Sequence, residues 1–239
     1  MKLAAGPVIP NFGKGSSCVT GDHVFCWGWV KQHWGDTLAP ALAQHAELTA
    51  IAVGVGFPIA FALALLAHRV RSVEQPISVV SALVYTFPSF ALFQLIVPFT
   101  GLTITTAEIA LVSYTLVILF PNIVAGLEAA PAEVIEAARG MGLTRRQLLF
   151  RVELPLALPA IIGGLRIAVV STIAIATIAA TILPKGLGFP IFYAIELPTP
   201  FKTEIYSAGA LTVTLALACD AALVLLRRAV TPWNRVAAR

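Results

Sequence analysis

Charge is scarce in this chain. Asp, Glu, Lys and Arg make up 12% of its 239 residues, while 58% are hydrophobic and the mean hydropathy is +0.88. That is about half the charge of a soluble domain, so a water-facing globule and a disordered chain are both excluded. Three cysteines are too few to frame a chain of this length, which excludes a disulfide-stapled scaffold. Histidine is sparse too: His23, His33, His45 and His68 are scattered without metal-ligand spacing, and no Ser or Cys has a local His and acid beside it. We therefore expect no metal, no cofactor and no catalysis by this chain. A phosphate loop is also missing. Gly13-Lys14-Gly15-Ser16 has Gly15 where a hydroxyl residue must follow the lysine and Val8 where a glycine is needed, and no strand precedes it. The pI near 9.2 then concerns membrane topology rather than nucleic acid.

Long apolar runs are what the chain does have. A helix needs about 20 apolar residues to cross a hydrocarbon core about 30 Å thick. Spans are predicted near residues 48–67, 77–97, 109–127, 160–183 and 205–226, the second kinked at Pro88 and the fourth stopped by Pro184. All eleven arginines fall on one side of these spans, at Arg69 and Arg71, from Arg139 to Arg166, and from Arg227 to Arg239. The other side carries only Lys2, Lys14, Lys31, Lys185 and Lys202. Because cytoplasmic loops retain Lys and Arg, the expected fold is an all-α integral membrane bundle of about five helices, N-out and C-in. Residues 1–43 then form an extracytoplasmic or interfacial segment, 44–227 the transmembrane unit and 228–239 a cytoplasmic tail. The first segment is not a signal peptide, since Pro7, Pro10 and Asn11 break its short apolar run. Trp27, Trp29 and Trp34 suit the headgroup layer, and Asp36 is placed to cap a short interfacial helix running to Gln44. Cys18 and Cys26 lie on the oxidising side, either paired or free, and Cys219 is a packing residue.

Two ionisable residues fall within the spans, Arg166 and Asp220, both toward the arginine-bearing side. Such groups are costly in lipid, so they either pair across helices, snorkel separately or belong to a transport path. Phe87, Pro88 and Phe90 are candidates for lining that path, together with Phe93; the alternative for an aromatic stripe is helix packing.

The segment from Glu128 to Leu158 is far longer than a connector needs. Pro131 suits a first helical turn, Glu133 and Glu136 its positive end, and Gly140 and Gly142 its termination. Thr144 and Gln147 make a capping box for a second helix with Leu148, Leu149 and Val152 on one face, which Pro155 is expected to end. A surface-lying amphipathic helix and a docking element are both compatible with this pattern.

Glu136-Ala137-Ala138, then Gly142 after three intervening residues, and Leu154-Pro155 after Val152 resemble the EAA motif of permease subunits of ABC importers. Val152 stands where isoleucine is usual. The resemblance implies a type I importer permease fold in which Glu136, Ala137, Ala138, Gly142, Leu154 and Pro155 form the coupling loop that lodges in an ATP-binding subunit. It also implies two such ATPase subunits, which supply the hydrolysis, a second permease subunit of the same or another kind, and an extracytoplasmic substrate-binding protein. The location would be the cytoplasmic membrane of a prokaryote, with lipid as the remaining partner and no nucleic acid.

Thr86-Phe87-Pro88-Ser89-Phe90-Ala91, Val152-Glu153-Leu154-Pro155, Gly164-Leu165-Arg166 and Gly186-Leu187-Gly188 are similar to the osmoprotectant branch, which imports glycine betaine, proline betaine, choline or carnitine. Leu183-Pro184-Lys185 departs from the glycine-rich stretch usual there. Methionine, nitrate and phosphonate permeases share the loop pattern and stay open as alternatives. A secondary transporter would show inverted repeats and a mid-membrane carboxylate, and neither is apparent. A scaffold that merely recruits a soluble partner would lack a coupled ATPase.

Overall fold

The computed structural model describes residues 24–198 and 200–232, and every regular element among them is helical. Cys18 and the Gly13-Lys14-Gly15-Ser16 stretch lie outside the described residues; Cys26 is disulfide-bonded. The first helix, α1 (Trp27–His33), runs through a π turn (Trp34–Leu38) into α2 (Ala39–Arg69). Asp36 therefore caps no separate interfacial helix, as was expected of it. It sits inside the π turn, and the helix runs on across residues 43 and 44 because Pro40 occupies a first-turn position where no amide bond is lost.

After α2 come α3 (Arg71–Thr86) and α4 (Ser89–Thr100). The expected kink near Pro88 is a full break: the two axes meet at 100°. Proline drives the residue before it out of the helical region, and Phe87 is extended at ψ 130°. The central helix α5 (Ile104–Glu128) starts at Thr103, whose hydroxyl accepts the Thr106 amide. Two short helices follow, α6 (Ala132–Gly140) and α7 (Arg145–Leu148), and the latter passes through a second π turn (Leu149–Glu153) into α8 (Leu154–Ala176). Pro155 does not end the helix, contrary to the sequence expectation. It lies in the first turn of α8, where the widened turn before it relieves the clash its ring would make with the preceding carbonyls, and the helix continues from Arg145 to Thr181. The span does end ahead of Pro184: α8 tightens into a 3-10 turn (Ile178–Thr181), and α9 (Gly188–Glu196) and α10 (Lys202–Val230) follow.

Among the described residues four helices are long and apolar enough to cross a membrane, and the bent α3–α4 pair makes a fifth if its arms count together. The helix α5 is buried along its length between α2 and α8. At one end Ala60, Ala64 and Ala67 of α2 meet Leu119, Phe120, Ile123 and Leu127 of α5 and Ala157 and Ile161 of α8. Further along, Leu48 and Ala52 meet Ala107, Ala110 and Leu111, with Phe93 of α4 and Ala176. Half of these residues are alanine, because hydrocarbon gives helices no hydrophobic reason to associate, so close backbone approach and dispersion must do it. At Gly164 the approach is so tight that a Cβ would stand 2.5 Å from that of Asn122. Outside this core α3 buries no residue, and Val79, Val80, Leu83, Val213, Leu217 and Leu225 are more than half exposed. A water-soluble surface could not carry such a girdle.

Candidate functional site

The α6–α7 hairpin projects at the end of the bundle that also holds Arg69, Arg71, Arg227 and Arg228. Pro131 precedes α6 in an extended conformation, Glu133 lies in its first turn, and Gly142 stops it at φ +81°. The Leu143 amide donates to the Ala138 carbonyl and the Gly142 amide to that of Arg139. This paired closure needs a left-handed residue, which only glycine supplies without strain. Thr144 and Gln147 form the reciprocal capping box: the Thr144 amide donates to Gln147 Oε1 at 2.9 Å, and the Gln147 amide donates to Thr144 Oγ1.

Glu136, Ala137 and Gly142 are exposed, with Val134, Met141 and Phe150 beside them. Ala138 is only 2% exposed, so its smallness serves packing within the protein, while Ala137 stays open to a partner. Leu154 and Pro155 are half-buried in the first turn of α8. The hairpin's base is tied down by groups that periodicity did not single out. His68 at the end of α2 donates from Nε2 to Glu153 Oε2 at 3.0 Å, and Arg71 lies 3.7 Å from Glu128. Together with Glu74 and Ile135 they line a polar cleft.

Within the spanning region Arg166 and Asp220 meet as a two-pronged pair, Nε to Oδ1 at 2.8 Å and Nη2 to Oδ2 at 2.9 Å. They join α8 to α10 and edge a recess of about 660 Å³ that also exposes Asn122, Gly163 and Ser171. At the α3–α4 break, the Phe87 carbonyl that helix geometry leaves free accepts the Tyr114 hydroxyl at 2.6 Å. Phe87 and Phe90 are about half exposed, whereas Phe93 is fully buried in the core and lines nothing.

Toward the opposite end Trp29 is 5% exposed, stacked on His33 and edge-on to Phe201. It is thus a packing residue rather than a headgroup anchor; Trp27 and Trp34 remain exposed. The tie at His45 also went unseen in the sequence. Its Nδ1 accepts the Leu187 amide at 3.2 Å, which fixes the proton on Nε2, and Nε2 donates to the Ile173 carbonyl at 3.0 Å. Gln44 Oε1 accepts the neighbouring Gly186 amide. Adjacent polar residues at a span's start, facing a Gly-Leu-Gly turn, were the available signal.

Comparison with known proteins accords with this geometry. A family model described as "Binding-protein-dependent transport system inner membrane component" matches residues 56–235. The carnitine transport permease OpuCB of Listeria monocytogenes is 34% identical over 202 residues, covering 84% of this chain and 91% of that protein. The osmoprotectant import permease OsmW of Salmonella typhimurium is 36% identical over 201 residues, covering 82% and 92%. Among solved structures, an inward-facing form of the MetNI methionine ABC transporter superimposes with a TM-score of 0.72 over 84% of this chain and 98% of that one. Its sequence identity is 22%, so that likeness concerns the fold alone.

Proposed function

The chain belongs to the family of binding-protein-dependent transport system inner membrane components, and from that premise we propose that it is one half of the conduit of an ATP-driven importer for small trimethylammonium osmoprotectants such as glycine betaine, carnitine and choline. The observation that carries the proposal is the α6–Gly142–α7 hairpin, a capped element that leaves Glu136, Ala137, Met141 and Gly142 exposed among the described residues. It lies at the arginine-bearing end, the end that stays in the cytoplasm, where ATP is. The solute class rests on the likeness to the carnitine and osmoprotectant permeases, which runs over more than four fifths of the chain.

Five spans are too few to enclose a passage, so two permease subunits pair, each seating its hairpin on one of two ATPase subunits. Closure of the ATPases on ATP moves the hairpins and turns the conduit outward, where a soluble binding protein delivers the solute. Hydrolysis belongs to the ATPases, and this chain supplies the path and the coupling. Reconstitution with the candidate ATPase and binding protein in proteoliposomes tests this. Labelled glycine betaine should accumulate only with ATP, and Glu136→Lys should abolish uptake while the protein still folds. Uptake of methionine in place of any trimethylammonium solute would overturn the solute class, and uptake undiminished by Glu136→Lys would overturn the coupling role of the hairpin.

A further inference from the structure

We propose that the recess beside the Arg166–Asp220 pair is a solute site inside the spanning region, shaped for small zwitterions that carry a carboxylate and a quaternary ammonium. The inference rests on the importer reading above and adds to it a place where the solute pauses. Its volume, about 660 Å³, falls in the range of small-ligand sites, about 300–1,000 Å³.

The recess sets four polar side chains, Asn122, Arg166, Ser171 and Asp220, among otherwise apolar walls. The Arg166 and Asp220 side chains are 30% and 32% exposed, and charge turned toward hydrocarbon is costly. The opening therefore faces water-filled space or protein. The pair also leaves bonding capacity unspent. Arg166 engages Asp220 through Nε and Nη2, which leaves Nη1 with no protein partner among the described residues. The Asn122 amide nitrogen is spent on the Ile118 carbonyl, whereas the Ser171 hydroxyl makes no hydrogen bond among the described residues. A zwitterion matches this set: its carboxylate takes the Arg166 Nη1 and Ser171 donors, and its ammonium lies against the Asp220 oxygens.

A paired, net-neutral site holds neither simple anions nor simple cations strongly. No aromatic ring lines the recess, so no cation–π cage strengthens the grip. Loose holding is what passage requires, because a solute that enters must also leave. Gly163 keeps the space open. A Cβ built there meets nothing within 4 Å, so a larger side chain would fill the recess without displacing a helix.

That feature supplies the test. Gly163→Ala and Gly163→Leu are compared with the unsubstituted chain, each in the complete complex with ATPase and binding protein, measuring assembly, basal ATP hydrolysis and maximal uptake of glycine betaine and of the bulkier carnitine. Gly163→Leu should leave assembly and basal hydrolysis intact and lower maximal uptake by about tenfold or more, with carnitine hit harder than glycine betaine and Gly163→Ala intermediate. A second variant, Arg166→Met with Asp220→Leu, removes both charges together and so leaves no orphaned ion; it should assemble and fail to transport. Full uptake by either assembled variant, or an equal loss for both solutes, overturns the site. Loss of the assembled complex in Gly163→Leu would make the recess a subunit interface and overturns it as well. If the unsubstituted complex moves neither solute, it is the importer reading that fails, and this site with it.

Discussion

Replacing His45 by alanine removes one side chain and strands two backbone groups. His45 is fully buried, and so is Leu187, whose amide donates to Nδ1. The Ile173 carbonyl depends on Nε2 because the Thr177 amide, its expected helical donor, turns instead to the Ala174 carbonyl at 3.3 Å. Interhelical hydrogen bonds in membrane proteins average about 0.6 kcal/mol. A buried amide left without an acceptor costs about 1–3 kcal/mol. The lost interhelical bond and the stranded amide together come to about 2–4 kcal/mol, which for a chain of this size lowers the melting temperature by about 5–15 °C. Gln44→Ala should cost less, about 0.5–1.5 kcal/mol, because the half-buried Gln44 side chain sits where water can take its place at the Gly186 amide. The assay is thermal unfolding in detergent, paired with amide hydrogen exchange at Leu187. Exchange there should accelerate in His45→Ala while the α2–α5 core stays protected. If His45→Ala melts with the unsubstituted protein and Leu187 exchanges no faster, the tie does not hold the turn before α9 and the reasoning is refuted.

Two further outcomes are expected. Tyr114→Phe deletes the hydroxyl that satisfies the Phe87 carbonyl and should lower stability by about 0.5–1.5 kcal/mol; cysteine labelling across residues 86–89 should show a looser α3–α4 break, and an unchanged labelling rate would mean another group serves that carbonyl. Gly142→Ala forces a side chain into φ +81° at a cost of about 1–2 kcal/mol. Since the turn is exposed, the cost should appear as weaker ATPase binding, roughly five- to thirtyfold, with melting little altered, and equal binding in a pull-down titration would show that the partner does not read this turn.

What could be read beforehand follows from the range of each interaction. The α6–α7 hairpin was legible in detail because everything that shapes it is local: Pro131, Gly142 and the Thr144–Gln147 box each act within a few residues. The long spans were equally plain, since twenty apolar residues have few other uses. Proline was misjudged in both directions. At Pro88 it broke the span outright, whereas at Pro155 a π turn absorbed it, and the outcome depends on whether the preceding turn can widen within its packing. Trp29 was placed at the headgroups on composition, but Phe201, far along the chain, claims it for the core. The same distance hid His45 and His68, whose partners lie 128 and 85 residues away. For Arg166 and Asp220, similar depth on two spans left pairing and separate snorkelling both open, and gave no sign of the recess beside them.

The unbroken helix from Arg145 to Thr181 is a mechanical part as well as a span. Its 37 residues extend about 55 Å, well beyond a hydrocarbon core of about 30 Å. One stiff rod therefore begins at the hairpin, passes Arg166 and ends beside the turn that His45 holds. A tilt of about 5° about its hairpin end moves the far end by about 5 Å, nearly one helical pitch. The rod departs from α geometry at the π turn at Leu149–Glu153, close to the hairpin, and at the 3-10 turn at Ile178–Thr181, at the far end, so the stretch between them swings as one piece.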